Sequence, residues 1–76
     1  MNRTSQTLDK VLRIKRLTEK TGFSRSSTYN KTNPASKYFD PSFPKPIRLG
    51  ARSVGWLESE VDAWIASRAE SRSVVQ

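Results

Sequence analysis

One stretch decides the fold of this chain of 76 residues: Thr21-Gly22-Phe23-Ser24-Arg25-Ser26-Ser27-Thr28-Tyr29-Asn30-Lys31. Gly22 is a helix-ending residue. Ser24 is a good N-cap, because its hydroxyl can accept a hydrogen bond from a free amide group of the first helical turn. One helix is therefore expected to end at Gly22 and a second to begin just after Ser24. Two short helices joined by a brief turn make a helix-turn-helix candidate.

The flanking residues set the limits of both helices. The first is expected from Lys15 to about Thr21, where the apolar side chains have helical spacing. The second cannot pass Asn33, because Pro34 disfavours helical geometry in the residue before it and has no amide hydrogen. Phe23 is expected to fill the space between the two helices.

Aromatic residues occur at two places in this half of the chain, in the second helix and in the segment that follows it. Tyr29 either packs its ring against the first helix or directs its hydroxyl at a phosphate, and packing in the core is favoured. Residues 35–46, with three prolines, are expected to form an extended surface loop. Its rings, Tyr38, Phe39 and Phe43, are expected to pin it to the core.

A β-hairpin is predicted where residues 47–49 and 54–56 flank a four-residue connection that begins with glycine. In this hairpin, Ile47 and Leu49 are expected to face inward and Arg48 to face water. Upstream of the first helix, the apolar residues Val11, Leu12 and Ile14 are interpreted as a short extended entry to the domain.

A last helix is predicted to open at residues 58–60, where two carboxylates suit the positive end of the helix dipole. Leu57, Val61, Trp64, Ile65 and Arg68 follow at helical spacing and define its buried stripe. Trp56 and Trp64 are interpreted as core residues. The alternative, in which they stack on single-stranded bases, is disfavoured because both occupy inward positions.

The order helix, turn, helix, hairpin, helix predicts a small α+β winged helix-turn-helix fold. Residues 1–10 are expected to form a flexible arm, residues 11–69 the winged helix-turn-helix domain and residues 70–76 a flexible tail. No internal repeat is present.

Composition excludes most chemistry. The chain has no cysteine and no histidine, which removes thiol nucleophiles, the commonest general base and the usual zinc ligands. The carboxylates of residues 58–62 are better explained by the helix dipole than by a metal site. We therefore expect no enzyme activity, no cofactor, no metal and no small-molecule substrate. No apolar run approaches the roughly 20 residues of a membrane span, so a soluble cytoplasmic protein without a membrane partner is expected.

The charge is strongly positive and unevenly placed. Fourteen lysines and arginines oppose seven acids, for a net charge of +7. Residues 1–52 carry +9 of this charge and residues 53–76 carry −2. A basic surface on so small a domain indicates nucleic-acid binding, although excess charge also serves solubility.

The second helix of such a module enters the major groove of DNA. The candidate contacts that it supplies are Arg25, Ser26, Ser27, Asn30 and Lys31. Arginine can bind guanine through two hydrogen bonds, asparagine can bind adenine, and serine suits bases or phosphates. The alternative for each residue is a solvated surface or a helix-capping role.

The hairpin supplies a second set of candidates. Arg52 lies at its tip without an acidic neighbour, which favours insertion into a minor groove or a phosphate contact. Lys45 and Arg48 line the approach to that tip. The alternative is an exposed hairpin that binds nothing.

Three motifs resemble a known family: residues 21–29 (TGFSRSSTY), 43–50 (FPKPIRLG) and 54–65 (VGWLESEVDAWI). Together they are similar to the AlpA family of prophage regulators, over residues 13–68. The resemblance implies a winged helix-turn-helix related to phage excisionases. Such a protein acts as a transcriptional regulator of an integrase or directly as an excision factor in DNA recombination. It implies DNA contacts at Arg25, Ser26, Ser27 and Arg52.

The function expected from these observations is sequence-specific binding of double-stranded DNA in the nucleoid, with an integrase or further copies of the chain as possible partners. One alternative is an RNA-associated basic structural protein, in which Tyr38, Phe39 and Phe43 stack on unpaired bases. Competition between duplex DNA and structured RNA separates the two. A second alternative is a protein-interaction adaptor that uses the last helix, which failure to bind either nucleic acid would favour.

Overall fold

The computed structural model describes the backbone of residues 9–75 and the side chains of residues 9–72. In chain order, its elements are β1 (Val11–Leu12), α1 (Ile14–Thr21), α2 (Arg25–Thr32), β2 (Ile47–Arg48), β3 (Val54–Leu57) and α3 (Glu58–Val75). The predicted α+β winged helix-turn-helix is confirmed. The extended entry is also confirmed, as a strand of the sheet.

The turn between α1 and α2 forms as the local residues predict. Gly22 adopts the left-handed conformation (φ 82°), and its N–H donates to the Thr18 carbonyl at 2.8 Å. This conformation is easy only for glycine, and it ends α1. The Ser24 hydroxyl accepts a hydrogen bond of 3.0 Å from the Ser27 N–H and so caps α2. α2 ends at Thr32, just before the limit predicted from Pro34.

The sheet is antiparallel with the strand order β1-β3-β2, so the predicted hairpin carries a third strand on its other side. Arg48 pairs with Val54, and Leu12 pairs with Trp56. Because directly paired residues share a face, these four side chains belong to the same side of the sheet as the core.

The prediction that Ile47 and Leu49 face inward is therefore wrong. Ile47 pairs with Gly55 on the opposite side of the sheet, and Leu49 is 46% exposed. A Cβ atom on Gly55 would lie 3.1 Å from the Leu49 Cδ1 atom and 2.5 Å from the Val11 Cγ1 atom, which places all three residues on that outer side. Arg48 is exposed, as predicted, but it lies on the core side of the sheet, where β2 is an edge strand.

The core is small and takes its apolar side chains from β1, α1, β3, α3 and the segment before β2, but none from α2 or β2. Its buried apolar side chains are Leu12, Leu17, Phe43, Trp56 and Val61. Trp56 is completely buried, which confirms its core role. Phe23 and Trp64 are partly buried and pack against this cluster, with ring centroids 5.9 Å apart.

Three aromatic residues are more exposed than the sequence indicates. Tyr38 and Phe39 are 61% and 36% exposed, so only Phe43 pins the loop to the core. Its ring packs against two others, with its centroid 5.0 Å from that of Trp64 and 6.5 Å from that of Phe23. Tyr29 is 42% exposed, because Thr28, one residue earlier and about 100° around the helix, takes the inward position.

Residues from the predicted N-terminal arm cap α3. The Asp9 carboxylate accepts hydrogen bonds from the N–H and the hydroxyl of Ser59, and the Lys10 carbonyl accepts one of 2.8 Å from the Glu58 N–H. These hydrogen bonds satisfy amide groups that the first turn of a helix leaves free. The Ser59 hydroxyl also lowers the pKa of Asp9.

The domain limits stay a prediction. Residues 1–8 of the expected arm lie outside the described residues, and Asp9 and Lys10 are held against α3. The expected boundary after residue 69 falls inside α3, which continues to Val75. Within residues 9–75, no helix is long and apolar enough to cross a membrane.

Candidate nucleic-acid interface

α2 exposes its first turn and Tyr29 to solvent, and its last three residues are half-buried. It buries only Thr28, whose hydroxyl donates to the Ser24 carbonyl at 2.9 Å. The helix is held by this residue and by its cap because its sequence has no apolar stripe at helical spacing. Arg25, Ser26 and Ser27 are exposed in the first turn. A helix built in this way offers its polar face to a ligand rather than to the core.

A groove runs along the second half of α2. It has a volume of about 240 Å³ and is lined by Phe23, Ser27, Asn30, Lys31 and Tyr38. Asn30 and Lys31 are half-buried here, and the Lys31 Nζ lies 4.7 Å from the centroid of the Phe23 ring. This cation–π contact holds the lysine beside the serine and the asparagine. Three of the predicted contact residues are thus brought together.

Arg25 lies on another side of α2. With Ile14, Lys15 and Thr18 it lines a depression of about 280 Å³ at the junction of the two helices. Lys15 and Arg25 are both exposed. Two cations therefore flank the start of α2, the end at which the helix dipole also favours an anion.

The hairpin residues form a separate group. The Leu49 N–H donates to the Ser53 carbonyl at 2.7 Å and closes the turn, which leaves Arg52 exposed at the tip. Lys45 lines a cavity of about 330 Å³ together with Lys31 of α2. Lys45 therefore lies with the candidate residues of α2 and not with those of the hairpin. Arg48 and Arg52 line neither that cavity nor the groove beside α2. The DNA-contact roles of all eight predicted residues stay a prediction.

Two carboxylates of α3, those of Glu58 and Asp62, lie against α1. The Lys20 Nζ donates to Glu58 Oε2 at 3.1 Å and contacts Asp62 Oδ1 at 2.8 Å. These hydrogen bonds, the one to Asp62 above all, raise the pKa of Lys20. α2 itself carries no acidic residue. Across the described part of the chain, no group of three acidic side chains is placed to hold a metal ion.

The groove beside α2 includes one residue that the sequence analysis did not place there. Tyr38 was expected in the core, yet its ring faces the same groove as Ser27 and Asn30. The adjacent Lys37 is a local signal in the sequence, because lysine and tyrosine side chains both bind phosphate oxygens in protein–DNA complexes.

The fold and the exposed basic surface define a small winged helix-turn-helix protein. The family described as Prophage CP4-57 regulatory protein (AlpA) matches residues 10–69, which is more than half of the chain. The chain belongs to this AlpA family.

Two relatives are similar over most of their length. The chain is 41% identical over 61 residues to the DNA-binding transcriptional activator AlpA of Escherichia coli (strain K12), covering 80% of this chain and 87% of the relative. It is 35% identical over 66 residues to the uncharacterized protein ORF88 of Enterobacteria phage P4, covering 87% of this chain and 68% of the relative. No solved structure matches the chain significantly.

Proposed function

We propose that the chain is a sequence-specific double-stranded DNA-binding protein that regulates transcription of a prophage. The observation that carries this proposal is the second helix of the helix-turn-helix, which buries only Thr28 and exposes Arg25, Ser26 and Ser27. The E. coli relative, named a DNA-binding transcriptional activator, supports the same function. Family membership argues against the RNA-associated and adaptor alternatives.

In the proposed complex, α2 lies in the major groove. Arg25 and Ser26, in its first turn, reach base edges, which carry a distinct hydrogen-bonding pattern for each base pair. Ser27, Asn30 and Lys31 follow along the strand. The hairpin carries Arg48 and Arg52 to a phosphate or a narrow minor groove, and Lys45 contacts the backbone between the two elements.

The finer roles belong to the same proposal. The protein acts by binding and not by catalysis, in the cytoplasm, on DNA of the nucleoid. Its further partners are an integrase or other copies of the chain on neighbouring sites, and it regulates an integrase gene or shapes an excision complex. An excision assay with the purified integrase of the element, with and without the protein, separates these two actions.

The experiment that tests the proposal is a selection of bound fragments from random duplex DNA, followed by titration of the selected site at several salt concentrations. If Lys15, Arg25, Lys31, Lys45, Arg48 and Arg52 supply about four to six phosphate contacts, log affinity falls with log salt at a slope of about −4 to −5. A slope near zero overturns the proposal. So does tighter binding to a structured RNA of equal length and charge.

A further inference from the structure

The loop of residues 33–40 is held against the end of α2. The Asp40 N–H donates to the Lys31 carbonyl at 3.0 Å, which anchors the far end of the loop. Inside the loop, the Tyr38 N–H donates to the Ser36 hydroxyl at 3.0 Å. The loop therefore has a defined position relative to the helix that carries the candidate contacts.

The hydroxyl of Ser36 also contacts α2. Ser36 Oγ donates to the Asn30 Oδ1 atom at 3.4 Å. The side chain of Tyr38 forms one wall of the groove, and Ser27 and Asn30 lie along its α2 side. Since Tyr38 is 61% exposed, its burial adds little to the core, and its ring and hydroxyl are open to a ligand.

The edge of this groove is cationic. The Lys37 Nζ lies 5.3 Å from the centroid of the Tyr38 ring, and Lys31 stands on the α2 side. The single carboxylate of the loop, Asp40, is occupied by hydrogen bonds from the N–H (2.9 Å) and the hydroxyl (2.6 Å) of Ser42. An ammonium group over the ring of an exposed tyrosine supplies a positive charge and a hydroxyl donor, which match the charge and the acceptor oxygens of a phosphodiester.

We propose that the 33–40 loop is a third DNA-contacting element, in which Lys37 and Tyr38 bind one sugar–phosphate strand at the edge of the major groove. Lys37 pairs with a phosphate, and the Tyr38 hydroxyl donates to a phosphate oxygen. The inference rests on the proposed function, since it needs α2 in the major groove. Contacts of this kind fix the position of the protein on the duplex without reading bases.

The test compares four variants of the full chain on a selected duplex and on a scrambled one: Lys37→Ala, Tyr38→Phe, Tyr38→Ala and the control Arg72→Ala. Arg72 is exposed near the end of α3, so its removal lowers the net charge by the same amount away from the loop. Thermal melts check that each variant is folded, and the exposed positions make wild-type stability the expected result.

Lys37→Ala is expected to weaken binding to both duplexes by similar factors and to flatten the salt slope by about 0.9, which corresponds to one phosphate contact. Tyr38→Phe is expected to lose about three- to tenfold in affinity, nearly as much as Tyr38→Ala, because the hydroxyl makes the contact. Arg72→Ala retains wild-type binding and slope.

Three results overturn the inference. The first is wild-type affinity for Lys37→Ala and for both Tyr38 variants. The second is an equal loss in Lys37→Ala and Arg72→Ala, which would reduce the effect to net charge. The third is full affinity for Tyr38→Phe with a loss only for Tyr38→Ala, which would indicate base stacking. These results count against the inference alone when the wild-type protein binds duplex DNA with a steep salt slope. A wild-type protein that does not bind overturns the proposed function, and the inference with it.

Discussion

The hydroxyl of Ser42 accepts a hydrogen bond of 3.1 Å from the indole Nε1 of Trp64. The same oxygen accepts one of 3.1 Å from Arg68 and donates one of 2.6 Å to Asp40. Arg68 in turn lies 5.2 Å from the centroid of the Trp64 ring. Ser42 therefore links the segment before β2 to the middle of α3. Through Asp40, it also links α3 to the 33–40 loop beside α2.

Ser42→Ala removes all of these hydrogen bonds with little change in volume. We expect a loss of about 1 kcal/mol in the free energy of unfolding, since each bond is partly solvated. Urea unfolding measures the change. Ser71→Ala is the matched control, because Ser71 is exposed on α3 and such substitutions change stability little. Equal stability of the two variants would show that the Ser42 network contributes nothing.

Trp64→Ala removes the ring that packs against Phe43 and Phe23. We expect a cost of about 3 kcal/mol, near the lower end for a large aromatic residue because Trp64 is only partly buried. Trp64→Phe retains an aromatic ring and should cost less. The fluorescence of the buried Trp56 reports unfolding in both variants. Wild-type stability of Trp64→Ala would place the ring at the surface and favour a stacking role.

Acid should weaken the hydrogen-bond network that joins Ser42 to Asp40. The hydrogen bond from the Ser42 hydroxyl holds the pKa of Asp40 below its ordinary value of 3.8. A carboxyl whose pKa is lowered in the folded state contributes stability above its ordinary pKa, and this contribution is lost as the pH falls through the folded value. The urea midpoint of the wild-type protein should therefore begin to fall below about pH 5 and continue to fall as the pH drops below 3.8.

Asp40→Asn is the comparison that isolates this effect. The variant should be less stable than wild type at neutral pH, and the difference should shrink towards pH 3. Some acid dependence should remain, because the pKa of Asp9 is also lowered, mainly by the hydroxyl of Ser59. A constant difference at all pH values would exclude ionised Asp40 as the stabilising form.

Local signals account for the parts of the fold that the sequence predicts. Gly22, Ser24 and Pro34 act on the backbone of their own neighbours, so the limits of α1 and α2 follow without knowledge of the rest of the chain. Which side of the hairpin faces the core depends instead on pairing with a strand that is distant in sequence. Both sides of it carry apolar residues, and the pairing of Leu12 with Trp56 decides which side meets the core.

The candidate site divides in the same way. The exposed first turn of α2 follows from its polar sequence, and Arg25 is predictable from the position of Ser24. The position of Tyr38 in the groove beside α2 cannot be predicted in this way, because it depends on the hydrogen bond from the Asp40 N–H to the Lys31 carbonyl. An aromatic residue in a loop indicates burial by its chemistry alone, and only the folded chain shows which ring the small core accepts.

The helix and the hairpin should fail differently when mutated. Arg25 is exposed in the first turn after the cap, where side chains reach base edges. Arg25→Ala should therefore cost about 1 to 3 kcal/mol of binding free energy on the selected site and relax the base preference. The affinity for a scrambled duplex should change less, so that specificity falls together with affinity.

Arg52 lies at the exposed tip of the hairpin, a position suited to a phosphate or a narrow minor groove and separate from the base edges proposed for α2. Arg52→Ala should weaken the selected and scrambled duplexes by similar factors and flatten the salt slope by about 0.9 for one lost phosphate contact. Titration of both variants against both duplexes at two salt concentrations measures these differences. If Arg25→Ala lowers the two affinities equally while Arg52→Ala abolishes discrimination, the hairpin is the element that reads the sequence, and the proposed orientation on DNA is inverted.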